Sequence, residues 1–160
     1  NNVWSLEMCK GNKGLLVMFI CNHCPFVKVI LDKLVVETDV LAMKGIGIVA
    51  INSNDYISYP EDSFENMQKV SKNHGFGFPY LIDDQQEVAK EYGSVCTPDF
   101  FGYNSNLELQ YRGRFDDRGM KASNNPNQSD LFKAMFLISR TGKGPEQQIP
   151  SVGCSIKWRK

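Results

Sequence analysis

The chain has 160 residues, enough for one domain with a sizeable core and too few for two comfortable ones. Apolar content is 42% and charged content 22%, and 18 basic side chains balance 18 acidic ones. That balance supplies no global field for nucleic acid or an anionic membrane surface, and no apolar run approaches the ~20 residues a membrane span needs. Neither partner is expected.

Leu15 to Cys21 is a continuous apolar run of strand size, expected to be buried on both faces. Pro25 sits where a helix can start, because its missing N–H costs nothing in the first turn. Val27, Ile30, Leu31, Leu34, Val35 and Leu41 then form one apolar face, predicting a helix from Phe26 to Met43 that Lys44-Gly45 stops. Ile46 to Ile51 reads as a second buried strand. Asn52 to Pro60 is polar, and a helix is expected from about Glu61 to Asn73, closed by His74-Gly75, with His74 as a capping cation. Phe78 to Ile82 reads as a short strand, and Asp84 as the cap of a helix from Gln85 to Tyr92. Phe100–Tyr103 and Leu107–Phe115 form a hairpin around Asn104 to Asn106. Gly119 to Ser129 is expected to be a mobile polar loop, Asp130 to Ser139 a last helix, and 141–160 a tail.

Strands alternating with helices predict a single α/β domain over 1–160, with a central mixed sheet and helices on both faces. The five cysteines stand at 9, 21, 24, 96 and 154. An odd and scattered set suits a reducing, cytoplasmic compartment better than a disulfide scaffold. The chain opens on Asn1 and not on Met, so upstream residues, with any targeting segment, are expected to be missing.

The strongest chemical signal is Cys21-Asn22-His23-Cys24-Pro25, at the junction of the first strand and first helix. A helix start favours a thiolate over a thiol, and Cys24 falls at or beside the cap. A protonated His23 would favour the thiolate further. The carboxyl ends of parallel strands are also where open α/β folds place their sites. Cys24 is therefore expected as a nucleophilic thiolate, held by the positive end of a long helix and open to an incoming partner.

With Thr97-Pro98 much later in the chain, these residues resemble the thioredoxin fold, whose cis-proline loop faces the active cysteine. A closer resemblance is to the peroxiredoxin-like branch of the redoxins, related to the alkyl hydroperoxide reductase and thiol-specific antioxidant proteins. It is carried by Phe19 to Lys28, Ile51 to Asp55, Phe78 to Leu81, Cys96 to Phe101, Tyr111 to Asp117 and Gly153 to Trp158. Thioredoxins place the first active cysteine five positions after the central-strand phenylalanine, which from Phe19 is Cys24. Val27 stands where their second cysteine would be, and Cys21 lies upstream, so the CxxC is shifted. Peroxiredoxins carry threonine or serine three residues before the peroxidatic cysteine, with a proline earlier. Cys21 holds that position here and no such proline precedes it, so the motif supports thiol exchange more than peroxide reduction.

The resemblance implies a cis Thr97–Pro98 bond opposite Cys24, with Cys96 near Cys21 or Cys24 as a resolving thiol. Otherwise Cys96 is a small buried hydrophobe. Arg114 either stands near the thiolate, where it would lower the pKa or orient a peroxide, or forms an ion pair, Arg114 or Arg118 with Asp116 or Asp117. Cys154 is expected to pack with Trp158 rather than return to the site, and Cys9 carries no motif. Asn52 to Asp55 either shapes the cleft or forms a plain turn.

The function implied is a thiol-disulfide oxidoreductase or antioxidant protein. Cys24 attacks a peroxide or a protein disulfide, and Cys21 or Cys96 resolves the adduct. With no dinucleotide fingerprint, no bound cofactor is expected, and reducing equivalents come from thioredoxin or glutathione. Peroxiredoxin relatives often dimerise, and a homodimer is consistent with that likeness. Two rivals remain. Cys21, Cys24 and His23 or Cys96 would bind copper or zinc in a metal-binding protein, and a redox-inactive interaction module would need neither thiol.

Overall fold

The computed structural model describes residues 2–160. In chain order the elements are α1 (Leu6–Cys9), β1 (Gly14–Phe19), α2 (Pro25–Lys28), α3 (Leu31–Met43) and β2 (Ile46–Asn52). A 3-10 turn (Pro60–Asp62), α4 (Phe64–His74), β3 (Tyr80–Ile82), α5 (Glu87–Tyr92) and β4 (Cys96–Thr97) follow. The chain ends with β5 (Asp99–Asn104), β6 (Leu109–Gly113), α6 (Asp130–Thr141) and β7 (Cys154–Ser155). None of the described helices is long and apolar enough to cross a membrane.

Five strands form one sheet in the order β3-β2-β1-β5-β6. β1 is central, parallel to β2 and antiparallel to β5, and β2 is parallel to β3. All six residues of β1 are buried, because both of its faces are covered. Leu16 and Met18 face one cluster, with Leu34 and Leu41 of α3 and Leu131, Met135 and Ile138 of α6. Leu15, Val17 and Phe19 face the other, with Ala89 of α5, Phe101 and Ile156. The two-residue period of the strand therefore sorts one unbroken apolar run into two cores.

The expected single helix from Phe26 to Met43 is two helices. The Val29 carbonyl accepts from Arg118 Nη1 at 3.2 Å, outside the helical ladder, and the chain restarts at Leu31. The helix expected from Glu61 begins only at Phe64. Ser63 caps it through Asn66 N, while Asp62 just before is turned into the interior. Asp83 takes the capping role expected of Asp84, accepting from Val88 N and Ala89 N, and Asp84 instead pairs with Arg159. His74 stands 3.2 Å from Asp32.

The segment beyond Thr141 is more than a tail. Ile149 O accepts from Arg114 N at 2.9 Å, and Ser151 Oγ donates to Asp99 Oδ1 and to Gly113 O. β7 then pairs antiparallel with β4 in a second, two-stranded sheet, with Thr97 opposite Cys154. Ile156 N bonds Val95 O at 2.9 Å, and the Lys157 backbone is held by Asn54, Asp55 and Gln86. This segment is a strap across the end of the sheet where the CNHCP motif lies.

Gly153 permits its close approach, since a Cβ there would lie 2.0 Å from Thr97 O and 3.1 Å from Pro98 N. Gly153→Ala is expected to destabilise the chain by about 1–3 kcal/mol through this overpacking. A urea melt checks it, and an unchanged midpoint counts against tight docking.

Candidate redox site

β1 ends at Phe19, and Ile20 N still bonds Ile51 O at 3.0 Å, which carries the chain past the sheet before it turns at Cys21 to Cys24. Cys24 is the cap residue of α2, extended at φ −67° and ψ 123°, and Pro25 occupies the first helical position. The amides of Val27 and Lys28 bond the Cys24 carbonyl, each at 3.0 Å, and the Cys24 side chain caps no helix amide. Because α2 spans a single turn and the long helix starts at Leu31, the expected helix field at Cys24 is weak. The macrodipole needs a run of aligned peptides, which is missing at this point.

Thr97 joins the two arms of the site. The Thr97–Pro98 bond is cis. Thr97 Oγ1 lies 3.4 Å from Cys21 Sγ, and Thr97 O lies 3.3 Å from Cys24 Sγ. Cys21 and Cys24 are 1% and 0% exposed, so the expected open thiolate is instead sealed. The strap is what covers it. Cys154 packs against the core cluster that contains both cysteines.

Cys24 is held well below an ordinary thiol, chiefly by the hydrogen bond from Cys21, against the opposing pull of burial. The thiol and the backbone amide of Cys154 and the Thr97 hydroxyl add to the effect. The Thr97 carbonyl works the other way, since it accepts from a protonated Cys24. Several bonds to an anion outweigh one neutral bond, so the thiolate wins. Cys21 is pushed far up, first by donating to Cys24, then by burial and by the Asp62 charge.

Asp62 was not legible in the sequence. It is 0% exposed and accepts from Asn22 N at 2.7 Å and from Asn54 Nδ2 at 2.8 Å. His23 Nδ1 lies 2.6 Å from Asp62 Oδ2, the oxygen that also accepts from Asn54, and the His23 ring stacks on Tyr59. His23 thus serves Asp62. Asn22 Oδ1 accepts from Tyr80 Oη at 2.9 Å, closing the network. Asn52 to Asp55 fastens Asp62 and the strap.

Two further expectations are revised. Cys96 neighbours Thr97 in β4, so its side chain takes the opposite face. It lies against Pro98 O and shares a hollow with Asp99, Arg112 and Ser151. Burial, then Asp99 and then the Cys24 charge push it up to about 11. Arg114 donates to Asp130 Oδ2 at 2.8 Å and lines a hollow of about 170 Å³ with Phe26, Pro98 and Val152. Arg118, not Arg114, pairs with Asp116. Cys9 lies against the core on the other face.

Among the described residues, the one three-ligand cluster is Cys21, His23 and Asp62, with atoms within 4.8 Å of one another. Cys24 and Cys96 of the expected copper or zinc set lie outside it. Both Asp62 oxygens already accept hydrogen bonds, and Cys21 keeps its proton. The donor set fits a hydrogen-bonded carboxylate better than a metal.

The model of the AhpC/TSA family matches residues 1–117. The chain belongs to this family. It is accordingly a redoxin-type thiol oxidoreductase with a thioredoxin-like fold. A search of curated proteins returns no match. An uncharacterized conserved protein from Geobacillus kaustophilus is 46% identical, with 99% of this chain and 84% of that chain covered and a TM-score of 0.89. A hypothetical protein from Sinorhizobium meliloti is 41% identical, covering 99% and 86%, with a TM-score of 0.91. A secreted Mycobacterium tuberculosis disulfide oxidoreductase is 15% identical over 86% of this chain and 87% of that one, with a TM-score of 0.58. It shares the fold. For this AhpC/TSA chain, the ultraviolet absorbance of one thiolate is expected to persist as pH falls well below about 8.5, the free-cysteine value. Cys24→Ser removes that absorbance, and a signal that fades near 8.5 contradicts the assignment.

Proposed function

We propose that this chain catalyses thiol-disulfide exchange by cycling Cys21 and Cys24 between dithiol and disulfide, with Cys24 as the nucleophile. The observation that carries this reading is the pairing of a low-pKa Cys24 with a protonated Cys21, both touching Thr97 beside a cis proline. The Cys24 thiolate attacks one sulfur of a substrate disulfide, forms a mixed disulfide and expels the other sulfur as a thiolate. Cys21 then attacks Cys24 Sγ, releases the second substrate thiolate and leaves a Cys21–Cys24 disulfide. Asp62, within 4.8 Å of Cys21, is placed to take the Cys21 proton. Ionisation by Asp62 matters because a thiol is a poor nucleophile until it becomes a thiolate.

The substrate is a small molecule. An extended polypeptide would dock by adding a strand to a free backbone edge, and β7 already occupies the edge of β4. With a hydroperoxide, the same Cys24 thiolate would attack oxygen and become a sulfenic acid that Cys21 condenses with, releasing water. Arg114, the arginine expected near the thiolate, is held by Asp130 Oδ2 at 2.8 Å, which favours the disulfide route.

Turnover of hydroxyethyl disulfide with glutathione tests the reading. Cys24→Ser is expected to abolish it, and Cys21→Ser to take up the substrate sulfur on Cys24 without forming a Cys21–Cys24 disulfide. Cys96→Ser, on the far face of β4, keeps the wild-type rate. Wild-type turnover by Cys24→Ser would overturn the proposal.

Asp62→Asn keeps the size of the side chain and removes its charge. It is expected to slow the resolving step most at neutral pH, with the rate recovering as pH rises and Cys21 ionises unaided. A pH-independent defect would reduce Asp62 to a structural role.

A further inference from the structure

Cys21 and Cys24 are 1% and 0% exposed, so attack by Cys24 on a substrate and attack by an external thiol on a Cys21–Cys24 disulfide both need the covering strap to yield, unless a thiol already stands beside the pair. Exchange requires the attacking sulfur to reach a disulfide sulfur directly. Of the three sulfurs at the site, Cys154 alone belongs to a residue that is partly exposed. Its position is fixed on both sides. Gly153 closes onto Thr97 O and Pro98 N, and Ile156, 3% exposed, bonds Val95 O at 2.9 Å. Between them, Cys154 stands opposite Thr97, the residue that touches both buried cysteines.

We propose that Cys154 is the exchange thiol that carries electrons from an external thiol into the buried Cys21–Cys24 pair, through a transient Cys24–Cys154 disulfide. This rests on the reading of Cys21 and Cys24 as the redox pair. The Cys154 thiolate attacks Cys24 Sγ, the Cys24–Cys154 bond forms, and Cys21 leaves as a thiolate that takes a proton. A small thiol RSH, as RS⁻, then attacks Cys154 Sγ and expels the Cys24 thiolate. A second RSH attacks the R sulfur of the RS–Cys154 adduct, giving RSSR and free Cys154. The sum is one protein disulfide plus two RSH giving two protein thiols plus RSSR.

The leaving group favours the second step, while the first expels Cys21, the poorer leaving group, which takes its proton at once. Cys24, with the lowest proton affinity of the three, departs when RSH attacks Cys154. The oxidation state of the pair also controls Cys154. Its thiol is raised by burial first, and then by its hydrogen bond to Cys24 and by the Cys24 charge. The last two vanish once Cys24 is in a disulfide, while Lys157 goes on lowering it. Cys154 is therefore most nucleophilic when the pair is oxidised.

The test uses the full chain. Cys21→Ser protein treated with oxidised glutathione is expected to yield a Cys24–Cys154 cross-link in non-reducing peptide maps, formed as Cys154 displaces glutathione from Cys24. In a second measurement, the oxidised wild-type chain and oxidised Cys154→Ser are reduced by glutathione, and the variant is expected to be slower by about tenfold or more. Serine keeps the size of the strap residue, so β7 stays docked. Glutathione on Cys24 with no cross-link, together with wild-type reduction of Cys154→Ser, overturns the role of Cys154 and leaves the Cys21–Cys24 pair standing. A Cys24 that takes up no glutathione overturns both.

Discussion

The groups around Cys24 Sγ that hold its thiol low against burial are the constraint on which the site depends. A sulfur anion with no exposure loses its hydration, and without replacement donors the thiol would stay protonated. Cys21, Thr97 and Cys154 supply those donors, and they come from three distant parts of the chain. Each brings a structural demand. Cys21 must hold its proton, which Asp62 beside it encourages. Thr97 must face inward, which the register of β4 arranges. Cys154 must lie over the site, which needs the whole strap from Ile149 to Arg159.

The central part of the fold could be read from local pattern. An apolar run such as Leu15 to Phe19, with no alternation, has few alternatives to a doubly covered strand, and Ile46 to Ile51 repeats the pattern. The hairpin and the last helix follow from turn residues and helical spacing, and Ser129 caps α6 through Phe132 N. The departures all involve partners far away in sequence. Arg118 taking the Val29 carbonyl splits the first helix, and no local periodicity can register an arginine 89 positions later. Asp83 and Asp84 are adjacent and chemically equivalent, so spacing alone cannot say which one turns toward α5 and which toward Arg159.

The site divides in the same way. Cys24 and Thr97–Pro98 carry short signatures and were legible, though for a reason the structure revises. The helix behind Cys24 is one turn long, so side-chain donors replace the expected dipole. His23 was expected to serve the thiolate because it is adjacent, yet adjacency in a turn says little about direction, and Asp62 holds it instead. Cys96 was favoured by proximity to the cis proline, and the two-residue period of a strand sends it to the other face. Asp62 and Cys154 carry no motif of their own. Asp62 precedes a serine cap, an unremarkable context, and Cys154 sits in a segment with little regular structure. Their positions emerge only when the chain closes on itself.

The strap changes what kind of oxidoreductase this chain can be. An open edge beside the cis proline invites any extended peptide with the right backbone, so its specificity would be broad. β7 occupies the β4 edge at Thr97, and the small hollow beside Phe26, Pro98 and Val152 is a neighbouring surface. The segment that occupies this edge is also the one that brings Cys154 against the cluster holding Cys21 and Cys24. Residues beyond 117 fall outside the family match, yet 99% of this chain is covered by the Geobacillus and Sinorhizobium structures, so most of the strap lies inside the aligned region. A thiolate buried this deeply must be supplied by a thiol that can reach both it and the solvent, and among the described residues near Cys24 that geometry is met at Cys154.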